Sequence, residues 1–203
     1  MDMEEEIKTI FEKEAVAIRN IPITDDFAKA IEIIYNGVHV KKGKLVTSGM
    51  GKAGQIANNI ATTFSSTGTP AIFLHPSEAQ HGDLGILQEN DVLLAISNSG
   101  KTREIVELIS LKNALYPSIP VIVITSQPDS PLGKSADCCL FTGNPDEVCP
   151  LGLTPTTSTT VFTVIGDALV ILMMKKIGFT VEEYSKRHHG GYLGAISRER
   201  STK

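Results

Sequence analysis

The run Ser97-Asn98-Ser99-Gly100-Lys101-Thr102 sets three hydroxyls among small residues, directly after an apolar stretch and directly before a helix-length segment. Backbone N–H groups at a helix start have no partner inside the helix and carry part of the positive end of its dipole. With hydroxyl donors beside them, they suit a phosphate monoester. Each hydrogen bond to such a charged group is worth roughly 1.5–3 kcal/mol. Serine capping and an Asn-Ser-Gly turn explain part of the run, but capping uses one hydroxyl and the run has three. Ser97, Asn98, Ser99 and Thr102 are therefore candidate phosphate contacts. A second loop, Thr47-Ser48-Gly49-Met50-Gly51-Lys52-Ala53-Gly54, satisfies the G-x-G-x-x-G pattern of dinucleotide sites. The next apolar run, however, ends in His75-Pro76, with no acid to meet a ribose. A tight strand-to-helix turn accounts for these glycines and leaves Lys52 unexplained. Ser48, Gly49 and Gly51 join the candidate anion contacts.

A third cluster is Thr156-Thr157-Ser158-Thr159-Thr160, which opens a long apolar segment. Threonine is a middling helix former, so five hydroxyl residues at a helix start need a reason. Thr156, Thr157 and Ser158 either donate to a ligand or cap the helix and pack against a subunit. His75 and His81 near Asp83 raise the question of a metal, but their spacing fits no tight site, and neither a metal nor an organic cofactor is expected.

The elements that must position these groups follow from the apolar pattern. Residues 3–19 place Ile7, Ile10, Phe11, Ala15 and Ile18 at helical spacing, and a second helix begins after Thr24. Short apolar runs then read as strands at 45–47, 71–74, 92–96, 121–124 and 138–141, with helix-length segments at 54–64 and 102–114. Continuous apolar strands alternating with helices indicate a parallel sheet covered on both faces. The last long helix, 156–176, is read as opened by Pro155 just inside its start and closed by Gly178. The expected architecture is a three-layer α-β-α sandwich around a five-stranded parallel sheet, flavodoxin-like or Rossmann-like, preceded by N-terminal helices. It forms one domain over 1–203: helices over 1–40, a core over 44–195 and a polar tail over 196–203.

Composition narrows the partners. A net charge of -4 over 203 residues gives no reason to expect nucleic acid or an anionic membrane, so any bound anion is held by local groups. The acidic start Met1-Asp2-Met3-Glu4-Glu5-Glu6 lacks the apolar core of a secretory signal. The stretch 161–174 is interrupted by Gly166 and Asp167 and falls short of the ~18 uninterrupted apolar residues of a membrane span. Cys138, Cys139 and Cys149 form no CxxC pair and read as small buried apolar residues in a reducing, cytoplasmic compartment.

Several motifs in order carry a resemblance. They are Gly49-Met50-Gly51-Lys52, Thr67-Gly68-Thr69-Pro70, His75-Pro76-Ser77-Glu78-Ala79, His81-Gly82-Asp83-Leu84-Gly85 and Ser97-Asn98-Ser99-Gly100. Further along stand Cys149-Pro150-Leu151-Gly152-Leu153-Thr154-Pro155-Thr156, Ser158-Thr159-Thr160, Gly166-Asp167-Ala168-Leu169, and His188 before Gly190-Gly191. From Leu45 to Gly194 the chain resembles the sugar isomerase (SIS) domain and, within it, the arabinose 5-phosphate isomerase family. That resemblance implies interconversion of D-ribulose 5-phosphate and D-arabinose 5-phosphate through a cis-enediol. The product would serve 3-deoxy-manno-octulosonate (Kdo) synthesis for lipopolysaccharide or capsule. It also implies a homotetramer with shared active sites, and Lys52, Glu104, Glu147 and His188 as the catalytic set, with His81 beside them. Within that set Glu147 is read as the carbon base, His188 as the proton shuttle between the oxygens, Lys52 as stabilising the enediolate or fixing the substrate, and Glu104 as orienting Lys52 or His188.

Each catalytic candidate has a plainer reading. Glu104 is a first-turn acid favoured by the helix dipole, Glu147 lies in the polar turn 144–147, and His188 and His189 with Arg187 and Lys186 could be a basic surface. The chain departs from the family at Ala53, where serine is usual, and at His189, where proline is usual. It stops at Lys203 without the C-terminal CBS pair many members carry. Feedback control, by a nucleotide-activated sugar such as CMP-Kdo, would then act on the catalytic domain itself. Two other activities fit the fold: another SIS sugar-phosphate isomerase acting on a heptose or hexulose phosphate, and a non-catalytic sugar-phosphate-binding regulator.

Overall fold

The computed structural model describes residues 2–201. Two N-terminal helices, α1 (Met3–Arg19) and α2 (Asp26–Ile34), precede the sheet. Asp2 caps α1, and Glu4, Glu5 and Glu6 fill its first turn at the positive end of the dipole. Helix α2 runs on as a π-helical turn, Tyr35–Val40. The rest alternates: β1 (Leu45–Gly49), α3 (Gly51–Ser66), β2 (Ala71–Phe73), the short α4 (Pro76–Ala79), β3 (Val92–Ile96), α5 (Arg103–Leu115), β4 (Val121–Thr125), the short α6 (Pro131–Lys134) and β5 (Cys138–Phe141). Helix α7 (Thr157–Ile177) follows, then α8 (Val181–Ser185) and α9 (Gly191–Ser201).

The five strands are all parallel, in the order β2-β1-β3-β4-β5. Strand period two divides their side chains between two cores. Leu45, Leu94, Ile96, Ile122 and Ile124 face α2, α3 and α7, whereas Val46, Leu93, Ala95, Val121 and Val123 face the α4–α6 side. This is the three-layer sandwich expected from the apolar runs.

Helix α7 is the central element of the first layer. Val161, Phe162, Ile165, Leu169, Val170 and Met173 are all buried. Its length and composition would allow a membrane crossing, but half of its apolar window is buried inside the fold. Gly178 ends it in the left-handed conformation at φ 64°. Pro155 stands outside it rather than inside: Thr156 is the N-cap and Thr157 the first helical residue. The segment expected as a polar tail from 196 is helical as far as Ser201, within α9, and residues 202–203 lie outside the described residues.

Candidate functional site

In an open parallel sheet the crevice lies where the strand order reverses, at the carboxyl ends of the strands. Here that point falls between β1 and β3, whose following loops are the two glycine-containing runs. The first loop turns tightly because glycine lets strand and helix touch. A Cβ on Gly49 would lie 2.9 Å from the Ala53 backbone, and one on Gly54 would lie 2.5 Å from the Gly49 carbonyl oxygen. That packing puts Lys52 in the exposed first turn of α3.

The second loop is fastened to the end of β4. The carbonyl of Asn98 accepts from Ser126 N at 3.1 Å and from Thr125 Oγ1 at 3.2 Å. Ser97 Oγ accepts from Gly100 N at 3.1 Å and shares a hydrogen bond with Thr102 Oγ1 at 2.8 Å. Gly100 has φ 60°, and a Cβ there would sit 1.9 Å from Ser130 Oγ. Asn98 and Ser99 remain exposed, so the loop is rigid yet open to a ligand.

Between these loops lies a cavity of about 340 Å³. Lys52, Ser97, Asn98, Ser99, Thr102, Glu147 and Ser158 line it, and Ile96 and Phe162 supply apolar wall. Glu147 closes the far side. Its Oε2 accepts from Thr156 N at 2.7 Å, Thr156 Oγ1 at 3.1 Å and Ser158 N at 3.2 Å, and its Oε1 accepts from Ser158 Oγ. The carboxylate thus occupies the N-terminus of α7. Burial acts to raise its pKa, but the bonds from Ser158 and Thr156 outweigh that and hold the carboxyl below its ordinary value. Donors for an anion therefore face an ionised carboxylate across a space of sugar size, with the Lys52 ammonium beside them.

The remaining candidates are placed elsewhere. Ser48 is fully buried and its hydroxyl donates to the Leu74 carbonyl at 2.7 Å, so it offers no anion contact. Gly49 and Gly51 shape the turn and do not line the cavity. Thr157 is buried and turned towards α1, where it donates to Glu14. Thr156 serves Glu147, while Thr159 and Thr160 bond back to the Thr156 carbonyl. Their hydroxyls are spent on Glu147 and on a carbonyl of the helix itself rather than on capping N–H groups, and of these three residues Thr159 also lines the cavity.

Neither Glu104, on the first turn of α5, nor the exposed His81 lines the cavity. His188 lies between α8 and α9, its ring stacked 3.7 Å from that of Tyr184 and its Nδ1 3.0 Å from the Tyr184 carbonyl. No group of three or more His, Cys, Asp and Glu able to hold a metal occurs among the described residues. Met50, Gly152, Leu153, Pro155 and Phe162 line the cavity as well, unmarked by any polar signal in the sequence. Cys149 departs from the buried, inert reading. It is only half-buried, and hydrogen bonds from Thr154 and Leu153 lower its thiol pKa to about 7, whereas burial pushes Cys138 up to about 11.

A family model for the SIS domain matches residues 39–172. Arabinose 5-phosphate isomerase KdsD of Yersinia pestis is 49% identical over 183 residues, covering 90% of this chain and 54% of that protein. The Pseudomonas aeruginosa KdsD is 48% identical with the same coverage. The chain thus spans about half the length of the curated relatives it matches. Among solved structures, a candidate phosphosugar isomerase involved in capsule formation from Bacteroides fragilis superposes with a TM-score of 0.93 at 68% identity, covering 94% of this chain and 100% of that one. The Escherichia coli CFT073 protein c3406, solved in complex with arabinose 5-phosphate, gives 0.85 at 34% identity, covering 93% and 100%. On sequence and on structure alike, the chain belongs to the SIS domain family.

Proposed function

We propose that the chain is an aldose–ketose isomerase interconverting D-ribulose 5-phosphate and D-arabinose 5-phosphate through a cis-enediol. The observation that carries this reading is the meeting of Glu147 with the Ser97–Thr102 loop and Lys52 in one cavity at the switch point. The kinship with KdsD proteins supports it, as does the neighbour solved with arabinose 5-phosphate. In this reading the phosphate sits on the amides and hydroxyls of residues 97–102. The open-chain carbons extend towards Glu147, which removes the C1 proton of the ketose and returns one at C2. Lys52 stabilises the negative charge that develops on the enediolate oxygens.

His188 is the proposed shuttle between the O1 and O2 oxygens, histidine being the side-chain type whose unperturbed pKa lies nearest neutral. Because it does not line the cavity of its own chain, it would act on the site of a neighbouring copy. Such sharing fits a homotetramer, and Phe11 on α1 (68% exposed) and Ile171 on α7 (52% exposed) provide apolar surface for subunit contacts. Glu104 would orient Lys52 or His188 from the first turn of α5, and His81 is the lesser candidate of the set. The enzyme would act in the cytoplasm and feed Kdo synthesis for capsule or lipopolysaccharide. CMP-Kdo, an anionic activated sugar, would compete at the same cavity. The reaction is tested by incubating the protein with ribulose 5-phosphate in D₂O. Arabinose 5-phosphate labelled at C2 is the expected product, and recovery of unchanged, unlabelled ketose would rule the activity out.

A further inference from the structure

The hydroxyl of Thr157 turns away from the cavity and is used twice. It accepts from the backbone N–H of Val148 at 3.1 Å and lies 2.8 Å from Glu14 Oε1. A hydroxyl has one proton, so with Val148 as donor it must give that proton to Glu14. Val148 directly follows Glu147. The pair Glu147-Val148 is therefore held on the first turn of α7 at two points: the carboxylate on Thr156 and Ser158, and the backbone on Thr157.

The outer end of this chain of bonds comes from α1, outside the residues matched by the family model. Glu14 Oε2 is buried and makes no hydrogen bond. Leaving a carboxylate oxygen in that state opposes folding. A neutral side chain would avoid the penalty if the position served packing alone.

We infer that Glu14 is a positioning residue: through Thr157 it fixes the backbone at Val148 and with it the aim of the Glu147 carboxylate. This rests on the reading of Glu147 as the base. Without Glu14 the Thr157 hydroxyl is free to rotate, and one of the two anchors of the 147–148 segment is loosened. Displacing a reacting group by about 1 Å costs on the order of 10²-fold in rate. The phosphate loop is untouched, so binding stays as it was.

The test compares steady-state kinetics of Glu14→Ala, Glu14→Gln, Thr157→Val and Thr157→Ser with ribulose 5-phosphate, each checked for folding by circular dichroism. Glu14→Ala and Thr157→Val are expected to lower kcat about 10-fold or more with KM within about twofold. Glu14→Gln and Thr157→Ser, which keep the acceptor and the hydroxyl, recover most of the rate. Combined with Glu147→Gln, Glu14→Ala should add almost no further loss, because residues acting as one unit are non-additive. If Glu147→Gln alone retains turnover, the reading of the base is wrong. If Glu147→Gln is disabling but Glu14→Ala is unimpaired, or slows the double variant by its full factor, the base reading stands and the positioning role is overturned. Should Glu14→Ala fail to fold, the Thr157→Val and Thr157→Ser pair decides the same question.

Discussion

Glu147 borders two cavities, and they differ in kind. On one side is the space of about 340 Å³ at the strand ends, walled by the 97–102 loop and Lys52. On the other is a groove of about 610 Å³ against α1, bordered by Glu12, Lys13, Asn20, Asn144 and Asp146. The larger has the poorer chemistry for an anion. Glu12 and Asp146 would repel a phosphate, and none of its lining residues begins a helix. The smaller one lies at the carboxyl ends of parallel strands, where helix starts present unpaired N–H groups. Both adjoin strand ends, but the larger follows only the edge strand β5, so placement at the switch point, rather than volume, selects the site.

The sharpest way to break this comparison is at the shared wall. Glu147→Gln is expected to lower turnover ~10²–10⁴-fold, the range for loss of a general base, measured as kcat for ribulose 5-phosphate. The same variant reports on pH. The folded-state pKa of Glu147 is depressed, so the stability it contributes is present above the ordinary glutamate pKa of about 4.3 and is lost as pH falls through the lower folded value. Acid unfolding of the Gln variant should therefore show a shallower loss over that window, followed by melting temperature against pH.

His188→Ala should also lower turnover ~10²–10⁴-fold. If the imidazole serves a neighbouring chain, mixing the inactive Glu147→Gln and His188→Ala proteins restores part of the activity. A mixture as inactive as its components would confine both groups to one protomer. A smaller effect is expected at the loop. Ser99→Ala removes one hydroxyl from the anion site and should raise KM roughly 10-fold, the equivalent of one hydrogen bond to a charged group. Smallest of all is the control in the other groove: Lys13→Ala, which removes a cation from its lining, should change kcat and KM less than about twofold. A large effect there, with none at Ser99, would reverse the assignment of the two cavities.

The strands were legible because a parallel strand buried on both faces is written as an unbroken apolar run, as at Val92–Ile96 and Val121–Thr125. The 97–102 loop was legible because its hydroxyls outnumber what a cap requires. Ser48 was misread although a signal existed: alternation along β1 sends Thr47 towards α3, bonded to the Ala57 carbonyl, and Ser48 to the opposite face. The Thr-rich run was less readable. Which hydroxyl meets Glu147 and which meets Glu14 depends on contacts 11 and 143 residues apart. The short helices α8 and α9, and the stacking of His188 on Tyr184, likewise come from packing after α7 rather than from any local period.

The most direct measurement is a crystal structure of the Glu147→Gln protein with arabinose 5-phosphate bound. The account requires the phosphate within hydrogen-bonding distance of the amides and hydroxyls of residues 97–102, and C2 about 3–3.5 Å from the side chain of residue 147. A sugar phosphate seated instead in the groove beside α1, or with its phosphate on another loop, would contradict it.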